Sequence, residues 1–236
     1  MAQVFATTGR TGNCGANTGN WDGVHDASGG KGHTFGDASG TENNGVRSRR
    51  FASGGGTACG LFRVFMEFDT SGITSTPSRL TLNIKGSGTS TSNTDIIILR
   101  GNQTSYNGNT FNDFPGNGSG WDNTTAAIVP LSAEHTTWND SSYNVIELNA
   151  AAITAVVDED VMQVVIMTHD FDYLDVDPTV GQDVNIGMHF NQSGTSQDPY
   201  IETFFGYGGD IIGVASANIE KISGVATANV EKVIGV

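Results

Sequence analysis

Charge is scarce in this chain of 236 residues, and positive charge is scarcer still. Charged side chains make up 15% of the residues, with 11 Lys and Arg against 25 Asp and Glu and a formal net charge of -14. A typical soluble protein carries roughly 25% charged residues. A phosphate-binding surface needs clustered cations. The only dense basic cluster, Arg47, Arg49 and Arg50, is short and reads as a solvated loop, so no nucleic-acid partner is expected. No apolar run reaches the roughly 18 residues of a membrane span. The opening MAQVFATTGRTG lacks a basic segment followed by an apolar one, so it is not a secretory signal as it stands. Cysteine is reduced to Cys14 and Cys59, each in a Gly-rich stretch. Without histidine at ligand spacing they make no zinc site. Whether they pair stays open, and assembly in a reducing compartment disfavours it.

Catalytic signatures are missing as well. No HExxH, GxSxG or P-loop pattern occurs. The histidines are His25, His33, His135, His169 and His189. His169, followed by Asp170, falls at the end of an expected strand and reads as a turn residue. Glu67 and Asp69 share one strand face while Glu147 and Glu202 lie on others, and nothing sets two carboxylates across a cleft as a glycosidase requires. The chain is not expected to be an enzyme, and no cofactor is implied.

What is present is glycine, 32 residues of it, about twice the usual share of roughly 7%, together with Ser, Thr, Asn and many short apolar strings. Residues 1–60 are loop-rich, with short strands expected near Gln3–Thr7 and Val46–Ala52. In LFRVFMEFD, residues Phe62, Val64, Met66 and Phe68 share one face and Arg63, Glu67 and Asp69 the other, the alternation of a half-buried strand. RLTLNIK repeats it with Leu80, Leu82 and Ile84. DIIILRG is a continuous apolar run, as in a strand buried on both faces. NVIELN, VMQVVIMTHD, VNIGMHFN and the segment from Tyr200 to Phe205 complete the set, and Ala150–Val157 fits a single helical turn. Short strands between turn signals predict an all-β sandwich.

The run FRVFMEFDTSGITSTPSRLTLNI, the ending QDPYIETFFG and the segment ELNAAAITAVV resemble the DNRLRE-type jelly-roll domains, which are related to carbohydrate-binding modules. The similarity covers roughly residues 45–207. It implies a jelly-roll β-sandwich over 1–207, with 1–45 as a loop-rich extension.

After a joint at GYGGD (206–210) comes an internal repeat, GVASANIEKIS (213–223) followed by GVATANVEKVI (224–234). Its period of 11 residues overshoots three helical turns by roughly 20°. On a helix, Ile211, Val214, Ile219, Ile222, Val225, Val230 and Val233 fall in one arc of about 160°, with Asn218 and Asn229 inside it and the Glu-Lys pairs outside. Gly213 and Gly224 each cost a helix about 1 kcal/mol relative to Ala, so an extended arm stays open beside a helical one. Such a stripe needs another surface to cover it, and Asn in an oligomer seam sets register. Residues 208–236 are therefore expected to form an oligomerisation or anchoring arm. The repeat looks like terminal segments of marine phage structural proteins. The resemblance implies a virion protein (a head decoration, fibre or tail-appendage subunit) that assembles in a bacterial cytoplasm. Its expected partners are itself, as a trimer, and other virion proteins.

Two ligand sites complete the expectations. HDFDYLDVDPTVGQD offers hard oxygens from Asp170, Asp172, Asp175 and Asp177, the chemistry calcium prefers, although the spacing departs from an EF-hand. Trp21, Trp121 and Trp138 lie in polar loops and are candidates for contact with a host glycan. That contact is the mark of the alternative function, a carbohydrate-binding or adhesion module of a cell-surface or secreted protein.

Overall fold

The structure, a computed structural model, describes residues 2–27, 31–35, 45–88, 90–91, 95–104, 110–190, 196–205, 221–222 and 225–226. It is all-β, a curled antiparallel sheet closing on itself as a sandwich of the jelly-roll kind. The strands are β1 (Ala2–Thr18), β2 (Lys31–Phe35), β3 (Gly45–Ser53), β4 (Gly56–Asp69), β5 (Arg79–Lys85), β6 (Ile96–Arg100), β7 (Tyr143–Leu148), β8 (Val161–Thr168), β9 (Asp183–Gly187) and β10 (Tyr200–Phe204). The main path runs β6-β8-β4-β1-β10-β5-β7, with β2 beside β1, β3 beside β4, and β9 beside β3.

β1 joins the two layers. Ala2–Phe5 pair with β10, whereas Thr11–Thr18 pair with β4, and the register shifts between Ala6 and Thr11. Such an irregularity bends a strand and raises its local twist, which lets one strand serve both sheets. The sequence predicted only Gln3–Thr7 as strand here. The glycines at 9, 12 and 15 hide the rest, because period-2 patterning has no side chain to read at those positions. Gly15 is functional in packing: a Cβ there would lie 2.3 Å from the Phe62 ring.

The expected strands of residues 45–205 are all present. Leu80, Leu82 and Ile84 of β5, Val64, Met66 and Phe68 of β4, and Val164 and Ile166 of β8 are buried in one core. β6 lies at one end of the path, yet its backbone is not open. Ile98 O accepts from Leu131 N, and Ile96 exchanges two hydrogen bonds with His135. The 129–135 segment thus covers an edge that would otherwise template aggregation. The helical turn is α2 (Ala150–Asp158), capped by Asn149, whose side chain accepts from Ala151 N and Ala152 N. A shorter helix, α1 (Trp21–His25), follows β1.

Cys14 and Cys59 are buried and form no disulfide. In the β1–β4 ladder Cys14 faces Arg63 and Cys59 faces Thr18. That offset of four rungs is about 13 Å along the strands, beyond the roughly 7 Å a disulfide spans. The pairing question is settled by register.

In the C-terminal repeat only β11 (Lys221–Ile222) and β12 (Val225–Ala226) are described, and they pair antiparallel. These four residues straddle the junction of the two repeat copies. They are extended and not helical. Ile211, Val214, Ile219, Val230, Val233, Asn218 and Asn229 lie outside the described residues, and for Ile222 and Val225 only the backbone pairing is described.

Candidate functional site

The second face of β4 departs most from the alternation read in the sequence. Arg63, expected at the surface, is fully buried together with Asp172. All five guanidinium N–H groups are used. Nε and Nη2 donate to the two carboxylate oxygens of Asp172 at 2.9 and 2.7 Å, Nη1 to Asn112 Oδ1 and Phe111 O, and Nη2 to His25 O. The cation also sits over the Phe111 ring, 4.3 Å from its centroid. A bidentate pair with every donor satisfied is the geometry that offsets the desolvation of two buried charges. Asp172 is presented by a π-helical turn, His169–Tyr173, opened by Thr168, whose hydroxyl accepts from Asp172 N. Arg63 therefore ties together α1, the 110–121 loop and the 169–175 turn.

The same knot absorbs two of the three tryptophans expected to meet a glycan. Trp21 and Trp121 are only 3% and 2% exposed. His25 stacks on Trp121 at 4.3 Å, and Trp21 Nε1 donates to Asp175 Oδ1 at 2.9 Å. Trp138 is half-buried, packed on the core with its ring edge against His135. These rings close the core below their loops, so the candidates Trp21 and Trp121 offer no face to a glycan. Tyr106, in the same polar stretch, lies outside the described residues.

The expected calcium loop is corrected too. Asp172 belongs to Arg63, Asp177 pairs with Arg50, and Asp175 accepts from Trp21. Asp170 instead contacts His169. Among the described residues the four carboxylates form no three-ligand cluster. Asp175 adopts a positive φ of 51°, a conformation Asp tolerates better than most side chains. Two of the three cations of the basic cluster are likewise neutralised, since Arg47 pairs with Asp183 and Arg50 with Asp177. Beside the latter pair, burial and then the Asp177 carboxylate push the Cys59 thiol up from its ordinary value.

Two features were not legible in the sequence. One is an aromatic row on the outer face of the β1–β10–β5–β7 layer. Phe5 faces Tyr200, Tyr200 faces Asn83, and Asn83 faces Val145 across three ladders. Phe5 and Val145 are about half exposed, at 51% and 50%. Tyr200 contacts Phe5 and Tyr143 at centroid distances of 5.5 and 5.3 Å. Tyr143 is fixed by donating to Ser196 O and Asp198 O. Burial raises both tyrosine hydroxyls above their ordinary value, so the row is uncharged. The other feature is a group of Glu134, His169 and Asp170 whose ligand atoms lie within 4.8 Å of one another.

No family model matches the chain, and no curated protein matches it either.

Proposed function

We propose that this protein is a structural component of a bacteriophage particle, a jelly-roll sandwich held in the assembly by its C-terminal repeat. The observation that carries this reading is the tandem 11-residue repeat at 213–234, in which the apolar and the charged residues recur in register. A closely matching pattern in consecutive copies suits a surface that contacts regularly spaced neighbours. Burying such a stripe stabilises an assembly by about 25 cal/mol per Å² of apolar surface. The sandwich supports the reading from the other side. Its functional-looking groups, Arg63, Asp172, His25 and the tryptophans, are spent on internal packing. The test is a chain ending at residue 207. It is expected to stay folded and soluble while losing both self-association and incorporation into particles. Unchanged incorporation contradicts the reading.

One observation favours a second reading, contact with a host glycan. The Phe5–Tyr200–Tyr143 row offers one half-exposed ring beside two partly buried ones, a surface suited to the apolar faces of sugars. Replacing Tyr200 and Phe5 by Ala is expected to abolish glycan-array signals without unfolding the protein. An array with no signal for the unaltered chain contradicts this reading.

A further inference from the structure

Several acidic groups of this protein are matched by arginines. Asp172, Asp177, Asp183, Glu147 and Glu159 each have an arginine, namely Arg63, Arg50, Arg47, Arg79 and Arg100. At the end of the sandwich where β6 begins and β8 ends, three carboxyl groups converge without one. Asp95 directly precedes β6, Asp170 opens the π-helical turn after β8, and Glu134 comes from the segment covering the β6 edge. His169 N donates to Asp95 O, which holds the two chain segments together. Among the described residues, the one basic side chain paired with this group is the imidazole of His169. A partly exposed end of a sheet with surplus negative charge and a nitrogen ligand suits a cation.

We propose that Glu134, His169 and Asp170, with Asp95 beside them, bind a divalent transition-metal cation of the zinc class. The donor spacing supports this. His169 Nδ1 lies 3.0 Å from Asp170 Oδ1 and 3.6 Å from Glu134 Oε1. A tetrahedral site with bonds of about 2.1 Å has donor–donor edges of about 3.4 Å, between those two values. The donor set chooses among cations. An imidazole with carboxylates suits zinc, whereas calcium and magnesium prefer oxygen alone and more of it. Asp95 brings a further carboxyl to the same place, in contact with Asp170. The cation would tie the start of β6, the end of β8 and the 129–135 cover to one point. That makes it a structural ion, adding to assembly strength and not to catalysis.

The experiment uses the full chain, stripped with a chelator and titrated with zinc chloride by calorimetry, with calcium and magnesium chloride as separate titrations. One zinc per chain is expected, with at least ten-fold weaker binding of calcium and magnesium. A rise in unfolding temperature on zinc addition is the second readout. His169→Ala is expected to weaken zinc binding at least ten-fold. Glu134→Gln, at an exposed position that leaves the backbone untouched, is expected to weaken it as well and to remove the zinc-induced rise. No zinc binding tighter than millimolar overturns the proposal. So does zinc binding that both variants retain, or a preference for calcium. The truncation at 207 leaves these four residues in place, so failure here and failure of the virion reading are separate results.

Discussion

Arg63 shows how much one side chain decides. Its sequence neighbours place it on the solvent face of β4, and the structure buries it against Asp172 with no donor left over. Removing one partner of a buried pair leaves an uncompensated charge, which costs about 3–5 kcal/mol. Arg63→Met and Asp172→Leu are therefore each expected to destabilise by that amount in denaturant unfolding. The double variant is expected to recover part of the loss, because it removes both charges but leaves the buried acceptors Phe111 O, Asn112 Oδ1 and His25 O without their donor. Equal losses in all three would show that the knot is simple packing. His189 makes a pH prediction. Burial, and secondly Lys85, hold its imidazole below the ordinary value of 6.5. Above 6.5 it is neutral folded or unfolded. As pH falls below 6.5 the unfolded chain takes up a proton that the folded one refuses, so stability is lost on acidification. Unfolding curves between pH 7.5 and 5 are expected to show this slope, and His189→Gln is expected to flatten it.

Elements with a regular pattern were legible, and those specified by long-range contacts were not. β5 and β9 alternate apolar and polar residues cleanly, which made them legible even though the polar face is covered as well, with Thr81, Asn83 and Asn185 buried. β4 alternates only in its apolar half, since its second face is covered by α1 and the 110–121 loop, which lie far away in sequence. β1 is the reverse case: a central strand that looks like a loop because its glycines serve close packing. The tryptophans of polar loops stayed glycan candidates for a similar reason, as nothing local reveals that a loop folds inward over Arg63. Close approach also sets a test on β3. A Cβ on Gly45 would lie 1.9 Å from the Ile186 carbonyl oxygen, so Gly45→Ala must push β9 away. A loss of at least the roughly 1–3 kcal/mol of overpacking is expected in thermal or denaturant unfolding. For α2, Asn149→Ala removes the acceptor for two helix-start N–H groups and is expected to cost about 1 kcal/mol.

At the scale of the molecule, the proposed function divides the chain into a sandwich that folds by itself and a repeat that needs a partner surface. Residues 2–205 close a continuous core around β1, and the exposed edge of β6 is already covered. The sequence revealed the repeat by its period alone, without its structure. The two short strands at its centre show an extended backbone where the 11-residue spacing also permitted a helix. Sequence patterning fixes which residues of the repeat are alike, while the conformation depends on what they pack against. Sedimentation of the full chain and of the chain ending at residue 207, at matched concentrations, tests this division most directly. The account predicts an oligomer for the full chain and a folded monomer for the shortened one. Two species of the same oligomeric state would contradict it.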